Sequence, residues 1–230
     1  MTPPIPQPDV TTQWRLLGLG WLGHLAAMLL VGWFQQDYRD LAGTLFNTPL
    51  MWLVHSLHTP IADRWMVAIS ALGKGNAIAT VFVMTLLLLW LCKRRQAMRL
   101  VAAAMLGAAI MAGIAKLVIH SARPQLWQAL EQAGGSSFPS SHASGSLSLA
   151  LTLLLLLPDR WRTALGVPLL AAAVLVGISR VYLGVHAPTD ILLTWCLVLS
   201  WILWVQHCLA IQRHNSPSAA IGPADTAARA

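Results

Sequence analysis

Charge is scarce in this 230-residue sequence: only 10% of the residues are Asp, Glu, Lys or Arg. A soluble globular domain carries about 25%, so this chain cannot cover a water-facing surface. Cysteine is scarcer. Cys92, Cys196 and Cys208 are far apart and form no CxxC pair, which excludes a disulfide framework or a thiolate metal site. Short strands of alternating apolar and polar residues are missing, so an outer-membrane barrel is excluded. There is no basic patch either. The net charge of +7 is scattered between apolar runs, as membrane topology requires and nucleic-acid binding does not. Paired half-helices and internal symmetry, the marks of many transporters, are also absent.

Apolar length is what the chain has. It is 57% hydrophobic with a mean hydropathy of +0.63, and several runs approach the roughly 20 apolar residues needed to cross a bilayer. The expected fold is all-α and polytopic, with six transmembrane helices at about 15–34, 75–92, 97–120, 140–157, 163–179 and 188–208. The first run lacks an A-x-A cleavage site and reads as a retained helix rather than a signal peptide. Between the first two spans, residues 36–73 hold apolar pieces too short to cross, broken by Pro49 and Pro60; short interfacial helices are expected there. Residues 1–14 are Pro-rich and 211–230 are poor in bulky apolar groups, so both are expected to be disordered. One membrane domain, 15–210, remains.

Trp14, Trp33, Trp90, Trp161 and Trp204 fall near helix ends and suit an aromatic belt. In the third helix, Ala103, Gly107 and Met111, or Ala104, Ala108 and Ala112, form stripes of mostly small residues at spacing four. Such stripes let helices pack closely in lipid.

Six spans place both termini on one side. Arg15, Lys93, Arg94, Arg95, Arg99, Arg160, Arg162, Arg213 and Arg229 lie on that side, nine cations. Arg39, Arg64, Lys74, Lys116, Arg123 and Arg180 lie on the other, six in all. The excess makes the terminal side cytoplasmic.

Polar groups at membrane depth are costly, and each is a functional hypothesis. Three clusters qualify. In "KLVIHSARP", Lys116 and Arg123 are seven residues apart and share a face if the helix persists, although Pro124 argues that it ends near Arg123. In "SSFPSSHASGS", Ser140 can cap a helix that carries Ser141 and His142 in its first turn, and such an N-terminus attracts anions. In "SRVYLGVHAPTD", His186 and Asp190 stand at i and i+4, just after Arg180. An Asp on one ring nitrogen of a His leaves the other as nucleophile or base.

By the topology, all three clusters surface on the outer side. Three cations, two histidines, a carboxylate and a helix N-terminus suit a phosphate. Of the eight acidic residues, only Glu131 and Asp190 lie near, too little oxygen for a magnesium or two-metal centre. Zinc on His120, His142 and His186 is the stronger metal alternative, but the cations favour an anion. His24, His55, His58, His207 and His214 have no such company and read as interfacial or packed.

The three stretches together resemble the membrane branch of the type 2 phosphatidic acid phosphatase family, within the superfamily of vanadium haloperoxidases and bacterial acid phosphatases. "KLVIHSARP" is similar to K-x6-R-P, "PSSH" to P-S-G-H and "SRVYLGVHAPTD" to S-R-x5-H-x3-D. The resemblance covers residues 116–190. It implies that His186 is the nucleophile and forms a phosphohistidine, that Asp190 orients it, and that His142 is the general acid and then activates water. It implies that Lys116, Arg123 and Arg180, with Ser140 and backbone N–H groups around Ser141, hold the phosphoryl oxygens, and that neither metal nor cofactor is needed. Ser141 departs from the usual Gly, and "RPQ" from R-P-R-P. The implied function is hydrolysis of a membrane lipid phosphate or diphosphate, such as undecaprenyl diphosphate, phosphatidylglycerophosphate or phosphatidate, at the periplasmic face of a bacterial inner membrane. Transfer of the phosphoryl group to another lipid is the alternative on the same scaffold. The bilayer and its lipid are the expected partners; nothing suggests nucleic acid or an obligate protein partner.

Overall fold

The computed structural model describes residues 10–210. The stretches 1–9 and 211–230, expected to be disordered, and His214 with them, lie outside the described residues. Among the described residues the secondary structure is helical, without strands. The first helix, α1 (Val10–Asp37), starts earlier than expected. The helix-breaking prolines end at Pro8, so nothing stops residues 10–14 from joining it.

The interfacial stretch forms α2 (Arg39–Ala42), a π-helical turn (Gly43–Asn47), α3 (Thr48–His55) and α4 (Pro60–Leu72). Helix α4 begins as its sequence dictates. Thr59 is extended, its hydroxyl accepts from Ala62 N at 3.2 Å, and Pro60 takes the first helical position. Then follow α5 (Gly75–Leu91), α6 (Arg95–Val118), α7 (Ser141–Leu156), α8 (Asp159–Tyr182) and α9 (Pro188–Ala210).

Four of these, α1, α6, α8 and α9, are long and apolar enough to cross a membrane; α4 and α5 join at a 44° bend into a fifth candidate. The remaining expected span, the fourth in chain order, is α7; it has 16 residues and rises about 24 Å, short of a hydrocarbon core of about 30 Å. Its ends are set by the Ser140 cap and by Leu157, just before Pro158. It packs against α5, α6, α8 and α9, and its buried residues are small: Ala143, Ser144, Ser146, Ser148, Ala150 and Thr152.

The small-residue stripe on α6 is packing, as read from the sequence. Ala104, Ala108, Ala112 and Ala115 are buried. The Trp201 indole of α9 lies so close that a Cβ on Gly107 would stand 2.4 Å from it, and its Nε1 donates to Ala104 O at 3.1 Å. Trp14, Trp33, Trp90 and Trp161 are exposed near helix ends, whereas Trp204 donates to Leu16 O at 3.3 Å. His24 packs edge-on against Trp201, and His58 stacks on Tyr182 while pairing with Asp63 at 3.3 Å.

Candidate active site

Helix α6 ends at Val118, so Lys116 and Arg123 do not share a helical face as their spacing allowed. The connection to α7 brings them together instead. It is pinned where Ser137 N donates to Ser121 O at 2.8 Å and Ser121 N to Ser136 Oγ at 3.1 Å. Both cations then reach one carbonyl, Ser136 O: Lys116 Nζ at 2.9 Å and Arg123 Nη2 at 3.3 Å. Arg123 is further fixed through Nη2 to Gly134 O at 2.9 Å and Nη1 to Val185 O at 2.7 Å.

Ser140 is the N-cap of α7, as its sequence context predicts. It is extended and its hydroxyl accepts from Ala143 N at 3.4 Å. It is fully buried, and its own N–H donates to Thr194 Oγ1 at 3.1 Å. Both groups are therefore engaged within the protein, and Ser140 lies behind the cavity that Ser141 and His142 line. His142 needs the absence of a neighbour: a Cβ on Gly73 would stand 3.0 Å from its ring. Its Nε2 is buried without a protein hydrogen-bond partner.

Arg180, in the last turn of α8, is 2% exposed. Its Nη1 donates to both Glu131 Oε2 and Ser70 Oγ, and Ser70 Oγ donates to the same carboxylate at 3.0 Å. Lys74 Nζ stands 3.6 Å from Glu131 Oε1. Burial alone would raise the Glu131 carboxyl, but the Arg180 guanidinium, Ser70 and Lys74 hold it below its ordinary value. It is ionised beside the cations.

Between α8 and α9 the chain turns over Leu183–Ala187. Gly184 has φ +77°, and a Cβ there would stand 2.7 Å from Trp127 Nε1. An L side chain is strained at this φ. Gly184→Ala is expected to cost about 1–3 kcal/mol, read as a lower unfolding midpoint in detergent; an unchanged midpoint would show that the turn tolerates a Cβ. The turn delivers His186, 2% exposed, beside Asp190, equally buried in the first turn of α9. Asp190 Oδ2 accepts from Ala187 N at 3.0 Å and from Ser137 Oγ at 2.5 Å, and lies 3.6 Å from His186 Nδ1.

The tautomer follows from the partners. Arg123 Nη1 lies 3.2 Å from His186 Nε2, and a guanidinium can only donate. Nε2 therefore accepts, and the ring proton sits on Nδ1 toward Asp190. Burial pushes His186 down to about 4; Asp190 opposes the shift, and the Arg123 and Arg180 charges add to it. At neutral pH the imidazole is uncharged, with its unprotonated Nε2 facing Arg123.

Lys116, Arg123, Ser141, His142, Arg180 and His186 line one cavity of about 210 Å³, with Glu131 on its wall. Asp190 stands behind His186. The zinc alternative does not assemble: His120 is exposed and off this wall, and among the described residues no three His, Cys, Asp or Glu side chains are grouped to hold a metal ion. Sequence reasoning missed Ser137 and Ser70, and it took Glu131 only as a nearby acid. A serine among serines carries no mark of a bridge to an Asp 53 residues later.

Known proteins place this arrangement. The PAP2 superfamily model matches residues 96–213. An undecaprenyl-diphosphatase from Sulfolobus acidocaldarius is 48% identical over 66 residues, 29% of this chain and 30% of that one. The undecaprenyl-diphosphatase BcrC of Bacillus subtilis is 29% identical over 160 residues, 64% of this chain and 75% of that one. The chain thus spans under a third of the archaeal relative's length and three quarters of the Bacillus one's. Among solved structures, a transmembrane PAP2-type phosphatidylglycerolphosphate phosphatase from Bacillus subtilis superposes with a TM-score of 0.66 at 22% identity, covering 88% of this chain and 96% of that one. LpxE of Aquifex aeolicus gives 0.59 at 19% identity, over 70% and 94%. Both share the fold. With more than half of its length matched, and the cations and both histidines of its three motifs gathered around one cavity, the chain belongs to the PAP2 superfamily.

Proposed function

We propose that the protein is an integral membrane lipid phosphatase working through a phosphohistidine. The observation that carries this is the setting of His186: a buried imidazole whose Nε2 meets Arg123 at a cavity ringed by Lys116, Arg123 and Arg180. His186 Nε2 attacks phosphorus; the N–P bond forms as the bond to the leaving oxygen breaks. His142 gives that oxygen a proton. Water, losing a proton to His142, then attacks phosphorus, breaks the N–P bond and releases inorganic phosphate. Lys116, Arg123, Arg180 and the Ser141 N–H hold the phosphoryl oxygens, with Ser140 shaping the helix start behind them. The Nε atoms of Arg123 and Arg180 are buried without protein partners, and a bound oxyanion gives such donors acceptors.

The substrate is a lipid phosphate or diphosphate, and the curated relatives named undecaprenyl-diphosphatase favour an isoprenoid diphosphate. With six crossings, α7 being the short one, the cation asymmetry read from the sequence supports cytoplasmic termini and a site on the periplasmic face of a bacterial inner membrane. The deciding experiment is phosphate release by the purified chain from undecaprenyl diphosphate, undecaprenyl phosphate, phosphatidylglycerophosphate and phosphatidate in detergent micelles. Undecaprenyl diphosphate is expected to be hydrolysed fastest, in chelator as well as without it. No release from any of the four would overturn the reading.

A further inference from the structure

The interfacial segment and α1 lie outside the stretch matched by the family model, yet they reach the nucleophile's partner. Asp190 is 2% exposed, so each of its oxygens needs a donor. Oδ2 has Ser137 and Ala187 N. Oδ1 accepts from Gln35 Nε2, near the end of α1, at 2.5 Å. The amide orientation is set by chemistry, since Oε1 in that place would oppose the Asp190 carboxylate oxygen, which can only accept.

Asn47, in the π-helical turn, completes the support. Helix α9 opens with Pro188, which has no N–H. Ala187 N is bound to Asp190 itself, so the next free first-turn donor is Thr189 N. Asn47 Oδ1 accepts from it at 3.1 Å, and Asn47 Nδ2 donates to Thr189 Oγ1 at 3.0 Å. Gln35 Nε2 lies 3.2 Å from the same hydroxyl. A cap normally supplied by the preceding residue comes here from a residue 142 positions away. Gln35, Asn47 and Asp190 also line a cavity of about 410 Å³, separate from the one that Lys116, Arg123 and Arg180 line. There is space for the carboxylate to swing if its Oδ1 donor is lost. The His186–Asp190 separation of 3.6 Å leaves little alignment to spare.

We infer that Gln35 and Asn47 are positioning residues for the Asp190–His186 pair, which makes α1 and the interfacial segment part of the catalytic apparatus. The inference rests on the phosphohistidine reading above. Neither residue touches the phosphoryl cavity, so their loss affects kcat and leaves KM unchanged.

The test uses the full purified chain with undecaprenyl diphosphate and phosphatidate in micelles. Gln35→Met keeps the length and removes the donor; kcat is expected to fall about tenfold to a hundredfold at constant KM. Gln35→Glu places a second carboxylate against Asp190. It is expected to be at least as impaired near neutral pH, and to recover relative to wild type toward about pH 5, where a protonated Glu can again donate to Oδ1. Asn47→Asp keeps an acceptor for Thr189 N and is expected to retain most activity; Asn47→Ala is not. Recovery of Gln35→Glu with falling pH also shows that the protein is folded, so the inference survives an unstable Gln35→Met. Full kcat in Gln35→Met, a loss confined to KM, or no acid recovery in Gln35→Glu would each overturn it. His186→Ala run alongside separates the two claims: if it stays active the phosphohistidine reading fails, and if it is dead while Gln35→Met is wild-type only the positioning role fails.

Discussion

Replacing His186 by Ala or Asn is expected to lower lipid-phosphate hydrolysis by about 10⁴-fold or more, the scale seen when a covalent nucleophile is removed. No neighbour can take over. Among the groups lining the cavity, Lys116, Arg123 and Arg180 are cationic donors, the Glu131 carboxylate is held by Arg180, Ser70 and Lys74, and Ser141 has no base beside it in the described contacts. His142 is the remaining imidazole, and it begins a different helix. Because His186 is 2% exposed, the Ala variant also leaves a cavity; Asn fills more of it and controls for folding. The same chemistry gives a positive signal. In His142→Asn the water-activating base is gone while Nε2 of His186 still attacks. A substrate with a good leaving oxygen should then load the enzyme with phosphate that is lost in acid and survives alkali, as an N–P bond requires. Full activity in His186→Asn, or a trapped phosphate elsewhere than on His186, would sink the mechanism.

Asp190→Asn is expected to lower kcat by about 10³- to 10⁴-fold and to change KM little. The variant isolates charge from shape. Its single oxygen can face Ser137, Ala187 N and His186 Nδ1, which use Oδ2 in the native protein. Its amide nitrogen then points at Gln35, whose Oε1 has no protein partner and can turn to accept. The pair thus keeps its geometry and loses only the negative charge. That charge matters when Nε2 bonds to phosphorus, because the ring then becomes cationic in a buried site that burial already makes hostile to a charged imidazole. The measurement is steady-state kinetics with unfolding midpoints for wild type, Asn and Ala variants. A loss under tenfold in Asp190→Asn would mean that the carboxylate only aligns the ring.

The expected helices at 75–92, 140–157 and 188–208 fall within two residues of α5, α7 and α9. Hydropathy is a property of consecutive residues, and a helix in lipid must satisfy its own backbone, so composition is enough to find it. The N-cap at Ser140 and the place of His186 beside Asp190 were legible for a similar reason: each involves residues within four positions of one another. One local reading failed where a longer contact decided the outcome. Lys116 and Arg123 meet through the carbonyl of Ser136, not along a helix.

Membrane class and helix positions were determined by the sequence itself, because each is written in consecutive residues, and the cations and histidines that line the cavity could be picked out by their polarity beside apolar runs. Only the tertiary structure decided that Ser137 bridges to Asp190, that Glu131 and Ser70 hold Arg180, and that Gln35 and Asn47 brace α9. Those contacts join residues 53, 49, 110, 155 and 142 positions apart. A glutamine at a helix end looks the same whether it meets water or a buried carboxylate. Only the packing of α1 and the interfacial segment against α9 tells which.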